Sequence, residues 1–138
     1  MTIIEAVKTF VQQYPLLANS RLNVDFLPED AQSYSIETVP GKEIVKKYID
    51  GTSLRQFSFI VASREYFGED IRQQIDNLGF YEDLGNWFEQ CTREGNLPDL
   101  GIGRTSQSIE VTTSGYVFIP NENVARYQIQ CQLKYIKE

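Results

Sequence analysis

Residues 54–63, Leu-Arg-Gln-Phe-Ser-Phe-Ile-Val-Ala-Ser, decide the fold, because they form one of the strongest strand patterns in the chain. The odd positions make an aromatic and aliphatic face, and the even positions make a small or apolar one: Phe57, Phe59 and Val61 against Ser58, Ile60 and Ala62. A strand with two faces that can be covered usually lies inside its sheet. We therefore predict that the other elements pack around this strand.

A helical pattern follows this strand, from about Asp70 to about Arg93. It carries two apolar stripes. The earlier one is formed by Ile71, Ile75 and Leu78, and the later one by Phe80, Leu84, Trp87, Phe88 and Cys91. At about 100° per residue the two stripes lie on roughly opposite sides. One straight helix cannot bury both against one sheet, so the sequence predicts a break at residues 76–79, with Gly79 as the C-cap.

The N-terminal half supplies one helix and three strands. Residues 2–14 have helical periodicity, a capping box formed by Thr2 and Glu5, and a stop at Pro15. Residues 21–27 and 33–39 alternate and predict a hairpin. Residues 43–49 fit a helix or a strand, and the following Asp50-Gly51 favours a strand that pairs with residues 54–63.

The C-terminal part predicts a loop and further strands. The loop covers residues 95–104, and a strand follows at 106–113. Residues 116–119 resume a strand, either separate or continuous with the previous one through a bulge. After a turn at 120–123, residues 125–136 alternate most cleanly. We expect one α+β domain over residues 1–138, a mostly antiparallel twisted sheet with an N-terminal helix and a broken central helical segment on one face.

The composition limits the functional classes. Acidic residues outnumber basic ones by 19 to 13, giving a net charge of −6, which disfavours a sequence-independent nucleic-acid binder. The absence of histidine excludes His triads and His metal ligands. Cys91 and Cys131 are expected to be buried free thiols, with a disulfide or redox pair as the alternative. We find no signal-peptide pattern and no membrane span, so the expected location is the cytoplasm.

Two local patterns are candidates for chemical sites. The run Gly101-Ile-Gly-Arg104 precedes a strand and lacks the Lys-Ser/Thr of a phosphate loop, so a flexible connector is expected. Acidic side chains at Glu65, Glu69 and Asp70 are expected to cap a helix or face solvent, rather than to bind a cation. We therefore expect no catalytic, cofactor-binding or metal-binding residues.

The row formed by Gln128, Gln130 and Gln132 is the most suggestive polar feature. A solvent face would usually carry more charge, so this row is a hypothesis for contact with a partner subunit; an ordinary outer face is the equal alternative. We add Ile102 and Arg104 of the glycine-rich loop as candidate contacts. Eight tyrosines, scattered along the chain, fit either an interface or element boundaries.

Several short motifs, taken in order, carry a resemblance to a known family. They are Leu22-Asn-Val-Asp-Phe26, Ser33-Tyr-Ser-Ile-Glu37, Arg55-Gln-Phe57, Ala62-Ser-Arg-Glu-Tyr66, Asp76-Asn-Leu-Gly-Phe80, Gly95-Asn-Leu-Pro98 and Ala125-Arg-Tyr-Gln-Ile-Gln-Cys131. The chain resembles, over nearly its whole length, the minor capsid or tail terminator (tail completion) proteins of phages and prophages of Gram-positive bacteria.

The resemblance implies a non-enzymatic virion protein without a cofactor. Its expected partners are copies of itself in a ring, normally a hexamer, the tail tube protein and the head–tail connector protein, with no membrane and no direct sequence-specific nucleic-acid binding. The expected location is the tail or neck of the virion, and the host cytoplasm during assembly. Another neck or minor capsid component is the nearest alternative, and a small ligand-binding domain or enzyme is a remote one.

Overall fold

The computed structural model describes residues 2–15, 22–24, 33–66, 71–113, 116–121 and 124–138. These residues form two helices and seven strands. In chain order the elements are α1 (Ile3–Val11), β1 (Leu22–Val24), β2 (Ser33–Thr38), β3 (Ile44–Lys47), β4 (Ser53–Tyr66), α2 (Ile71–Glu94), β5 (Arg104–Val111), β6 (Tyr116–Asn121) and β7 (Val124–Lys137). The predicted α+β class is confirmed.

Two long central strands organise the sheet. β4 and β7 pair antiparallel over the full length of β4, from Ser53 opposite Lys137 to Tyr66 opposite Val124. β3 and then β2 pair along the other side of β4, and β5 and then β6 pair along the other side of β7. β1 pairs with β2 at the edge. Five of these six pairings are antiparallel, as predicted.

Both helices pack on one face of the sheet. On β4 and β7 the odd-numbered positions point toward the helices; the fully buried apolar ones are Phe59, Val61, Tyr127, Ile129, Cys131, Leu133 and Tyr135. The ring of Phe88 on α2 lies 6.5 Å from that of Phe59 and 6.4 Å from that of Phe10 on α1, measured between centroids. The three aromatic side chains join both helices and the sheet into one core.

The predicted cap and turn are confirmed. The backbone N–H of Glu5 donates to Thr2 Oγ1 at 3.3 Å, and the backbone N–H of Thr2 donates to Glu5 Oε2 at 3.1 Å, which completes the capping box of α1. Gly51 has a φ of 94°, and Asp50 Oδ1 accepts hydrogen bonds from the N–H and hydroxyl of Thr52. This turn joins β3 to β4 as an antiparallel pair.

The predicted hairpin of residues 21–27 and 33–39 is wrong. β1 and β2 are parallel, with Leu22 opposite Tyr34 and Val24 opposite Ile36. Alternation of apolar and polar residues fixes which side chains face the core, but it is unchanged when the strand direction is reversed. The pattern therefore identified both strands without determining their relative direction. The residues that connect the two strands, 25–32, lie outside the described part of the chain.

The predicted break at residues 76–79 is also wrong, because α2 is one helix that runs through them. Its described C-terminal half buries Tyr81, Leu84, Phe88 and Cys91 on one side. Helix propensity is a weak preference, and packing of this kind outweighs the poor propensities of Asp76, Asn77 and Gly79. The side chains of the earlier stripe lie outside the described residues.

β5 and β6 lie end to end along the same side of β7. Val111 is opposite Cys131 and Tyr116 is opposite Gln128, so the register shifts between them. At this interruption the N–H groups of Thr112 and Thr113 both donate to the Gln130 carbonyl, at 2.8 and 3.4 Å. Of the two predicted alternatives, the structure has the separate strands, and residues 114–115 lie outside its described part. Pro120, predicted in a turn, belongs to β6.

The continuity of α2 predicts that Gly79→Ala is stabilising. A Cβ at Gly79 would meet no described atom within 4 Å, and alanine is preferred over glycine inside a helix by about 1 kcal/mol. We expect the free energy of unfolding in urea to rise by about that amount. A loss of stability would contradict a regular helix at this position.

Gly85→Ala is the matched comparison for Gly79→Ala. A Cβ at Gly85 would lie 3.3 Å from Val111 Cγ2, where α2 approaches β5 closely. The same gain in helix propensity is therefore offset by displacement of the Val111 side chain. We expect Gly85→Ala to be less stable than Gly79→Ala in the same titration.

Two buried tyrosine hydroxyls of the core differ, since that of Tyr81 is hydrogen-bonded and that of Tyr127 has no partner among the described residues. Tyr81 Oη donates to the Tyr127 carbonyl at 2.9 Å and hydrogen-bonds with the hydroxyl of Ser63, tying α2 to β4 and β7. The hydroxyl of Tyr127 is itself buried without a hydrogen-bond partner among the described residues. The two hydroxyls therefore have opposite energetic consequences.

Removing each hydroxyl tests this difference. Tyr81→Phe leaves the Ser63 hydroxyl and the Tyr127 carbonyl without this partner, and we expect a loss of about 1–3 kcal/mol in the free energy of unfolding. Tyr127→Phe removes the same hydroxyl volume as Tyr81→Phe, but the hydroxyl that it removes has no partner among the described residues. The stability of the Tyr127→Phe variant should therefore match or exceed that of the unmodified chain. Equal losses in both variants, measured by urea titration, would contradict the assigned hydrogen bonds.

Candidate protein-contact surfaces

One face of the sheet carries no described helix. The even-numbered residues of β4 and β7 point to this side, because directly opposed residues of an antiparallel pair share a face and the odd-numbered ones meet the helices. We call this side the outer face. The three glutamines singled out from the sequence lie on it, as the alternation in β7 predicted.

The three glutamines differ in accessibility. Gln130 and Gln132 are half-buried, and Gln132 Nε2 donates to Gln56 Oε1 on β4 at 2.9 Å. Gln128 is only 8% exposed. It shares a register row with Ala62 and Ser35, which are both fully buried. The prediction of Gln128 as a surface contact is therefore corrected, because its side chain is enclosed within its own chain.

Among the residues whose side chains the structure describes, four successive register rows make up the accessible part of the outer face. From the β3–β4 turn onward they are Lys46, Leu54, Ile136 and Thr105; Gln56, Lys134 and Ser108; Ser58, Gln132 and Glu110; and Glu37, Ile60 and Gln130. The first two rows each contain one lysine, and the last two each contain one glutamate. Lys46 and Glu110 are exposed, whereas Lys134 and Glu37 are half-buried. Over these four rows, the face therefore has a positive half and a negative half.

Two fully exposed isoleucines lie at one end of the sheet. Ile49, in the β3–β4 turn, has a relative exposure of 108%, and Ile102, in the turn before β5, has 105%. β4 and β5 are both antiparallel to β7, and Ser53 and Arg104 are both opposite Lys137. The turns that precede these two strands therefore lie at the same end, which we call the hairpin end.

The turn that carries Ile102 has a defined conformation. Gly101 and Gly103 have φ values of 86° and 85°, a region that favours glycine, and the Gly101 N–H donates to Asp99 Oδ1 at 3.0 Å. The Gly103 carbonyl accepts from the Glu138 N–H at 2.8 Å. The two glycines thus hold Ile102 outward on a hydrogen-bonded turn, where the sequence predicted a flexible connector.

Arg104, the fifth predicted contact, lies on a row of basic residues at the hairpin end. Lys47, Ser53, Lys137 and Arg104 are opposite one another across four strands, and they point toward the helix side of the sheet. Arg104 is half-buried and Lys47 and Lys137 are exposed. The hairpin end therefore presents cations and two aliphatic side chains in a chain with a net charge of −6.

A cleft of about 340 Å³ lies at the hairpin end between α1 and the sheet, lined in part by Ile3, Glu43, Arg104 and Tyr135. Glu43 accepts from Arg55 Nη1 at 2.9 Å and from Tyr135 Oη at 3.3 Å. Burial, followed by the nearby Glu43 charge, raises the pKa of Tyr135. The Tyr135 hydroxyl therefore stays protonated at neutral pH and acts as a hydrogen-bond donor to Glu43.

The two thiols are free and buried, as predicted. Burial raises the pKa of both Cys91 and Cys131, and Glu94 adds to the effect at Cys91. Both thiols are therefore protonated at neutral pH and are poor nucleophiles. The acidic residues considered as a cation site, Glu65, Glu69 and Asp70, have no described side chains, and the described residues contain no cluster suited to a metal ion.

The outer edge of β5 is protected by α2. Thr92 Oγ1 donates to the Ile109 carbonyl at 3.0 Å and accepts from the Ile109 N–H at 3.2 Å. An exposed strand edge presents such groups to other chains, and covering them prevents edge-to-edge pairing. The middle of β5 is therefore closed to strand addition, and protein contacts are expected at the outer face and the hairpin end.

We expect Thr92→Val to destabilise the chain by about 1–2 kcal/mol, because both backbone groups of Ile109 lose their side-chain partner. The measurement is urea unfolding, with light scattering at rising concentration to detect edge pairing. Thr92→Ser keeps the hydroxyl and is the matched control, with a smaller loss and no added association. Equal behaviour of the two variants would mean that the hydroxyl does not protect the edge.

Sequence reasoning missed Ile49 and the charge division of the outer face. Ile49 fitted the apolar periodicity of the preceding strand, and only its position next to Asp50-Gly51 signalled a turn. Lys134 and Glu110 are far apart in sequence, and they become neighbours because Ser108 pairs with Lys134 and Glu110 with Gln132. Finding this pair requires the strand register, which the sequence pattern does not provide.

Among the described residues, neither helix is long and apolar enough to cross a membrane. A comparison of the chain with protein-family models and with curated proteins finds no match.

Proposed function

We propose that this chain is a structural protein of a tailed phage, and specifically the tail terminator that caps the tail tube and joins it to the head connector. The family resemblance of the ordered motifs is the starting point. The proposal adds that the contacts are made by the outer face and the hairpin end, with no chemical step and no cofactor. Several copies form a ring, for which we propose six subunits.

The observation that carries the proposal is the pair of exposed isoleucines at the hairpin end. Ile49 and Ile102 are fully exposed on two turns at the same end of the sheet, and each turn is fixed by hydrogen bonds to its backbone. A preformed aliphatic contact loses little conformational freedom on binding, which favours docking to another protein. In the proposed ring these turns contact the tail tube or the connector.

The distribution of charge supports the same use of the surface. Lys47 and Lys137 lie beside the two aliphatic turns, and Lys46 lies in the same hairpin. Opposite charges at the rim of an apolar contact accelerate association and fix orientation, more than they add to affinity. A partner with an acidic rim around an apolar depression is the surface that fits the hairpin end.

Deleting the gene from the phage or prophage that encodes this chain tests the proposal. We expect tails of uncontrolled length that remain separate from filled heads, because neither tube length nor joining is then controlled. Electron microscopy of the lysate measures both features, and expression of the unmodified chain in trans is the control. Virions of normal appearance would contradict the proposal, and tails of normal length that fail to join heads would assign the chain to another neck component.

The complementation assay also tests the hairpin end. Ile49→Asp combined with Ile102→Asp changes two side chains that make no buried contact, so the variant should fold normally but fail to restore infectious particles. Glu82→Lys, at an exposed position of α2, is the control for a surface charge change and should complement. Full complementation by the double aspartate variant would show that these turns make no essential contact.

A further inference from the structure

We propose that two copies of this chain associate through their outer faces as a symmetric pair. The pair is a state of the isolated chain in solution, and it does not depend on the proposed function. The occupant of the outer face is thus a second copy, and the evidence is that the face is complementary to itself when turned about one particular axis.

The axis follows from the arrangement of the four rows. It lies between the two faces, parallel to the hydrogen bonds of the sheet, and passes between the second and third rows. This two-fold rotation reverses the strand direction and preserves the order of strands across the sheet. The first row of one copy then lies over the fourth row of the other, and the second lies over the third, which is an isologous contact.

The charges match under this rotation. Lys46 lies beside β4 on the same side as Glu37, because β3 and β2 flank the same edge of that strand. Lys46 of one copy therefore faces Glu37 of the other. Lys134 on β7 faces Gln132 of the other copy. Glu110 of that other copy lies on the next strand, β5, about 4.8 Å to the side of Gln132 in the plane of the sheet. The symmetry makes each pairing occur twice.

The uncharged residues of the rows also match. Leu54 of one copy lies over Ile60 of the other on the same strand, β4, and Gln56 lies over Ser58. Aliphatic side chains thus meet aliphatic ones near both ends of the contact, and amides meet hydroxyls at its centre. Two twisted sheets pack face to face about 10 Å apart, with a small angle between their strands. The side chains of these rows are long enough to fill that distance.

The size of the face sets the expected strength. Four strands spaced by about 4.8 Å and four rows spaced by about 6.8 Å give roughly 500 Å² of face per copy. This is below the roughly 800 Å² per partner of a standard stable interface. We therefore expect a weak pair that dissociates on dilution and at high salt, since exposed ion pairs are screened.

Charge exchange between Lys134 and Glu110 tests the pair. Lys134→Glu and Glu110→Lys each place like charges near one another twice, and we expect each to weaken dimerisation by about tenfold or more. An equimolar mixture of the two variants should dimerise like the unmodified chain. In the mixed pair the introduced glutamate of one variant lies near the introduced lysine of the other, and the retained Lys134 lies near the retained Glu110. Sedimentation velocity at low salt, over a range of concentrations, measures the association constant.

The controls separate this contact from other causes of association. Lys47→Glu and Glu82→Lys make the same charge changes on the helix side of the molecule and should leave dimerisation unchanged. Lys46→Glu is a second test at an exposed position, and thermal unfolding establishes that each variant is folded. The proposal is overturned if the unmodified chain remains monomeric, if either single variant associates normally, or if the mixture fails to recover the dimer. Failure here leaves the deletion phenotype unaffected, so the two proposals are tested separately.

Discussion

The antiparallel pairing of β4 with β7 is the constraint on which the rest of the structure depends. Every residue of β4 has a partner on β7, so the backbone of β4 is satisfied on that side along its whole length. All other strands attach to the two remaining edges of this pair, either directly or, in the case of β1, through β2. The two helices cover one face of the pair, whereas on the other face the four rows from Lys46 to Gln130 stay at least partly accessible.

The alternation of side chains along this pair also separates stability from recognition. Side chains on the helix side, such as Phe59 and Leu133, are fully buried and are held by aromatic and aliphatic packing. Their immediate neighbours in sequence, such as Ile60 and Gln132, lie on the outer face and are half-buried. A substitution on one face therefore has little direct effect on the other, and the outer face can vary in charge without disturbing the core.

Features fixed by local interactions could be predicted from the sequence. The capping box of Thr2 and Glu5, the Asp50-Gly51 turn and the outward direction of Gln130 each depend on residues close together in the chain. The direction of β1, the continuity of α2 and the burial of Gln128 depend on contacts between distant segments, for which periodicity gives no information. The same limit applies to the candidate surface, since the proximity of Lys134 to Glu110 depends on register between strands.

Thr92 protects the edge of β5 in the folded chain, whereas the edge of β4 that pairs with β7 is unprotected while the chain is being synthesised. β4 leaves the ribosome long before β7, so its partner edge and its apolar residues are without their final contacts while α2, β5 and β6 are made. Pairing between such distant segments is slow and leaves intermediates open to association with other chains. β3 and β2 are made before β4 and can pair early with one of its edges, but the edge that pairs with β7 stays open. For this chain, the edge of β4 that pairs with β7 therefore stays exposed to wrong pairing until the last strand is made.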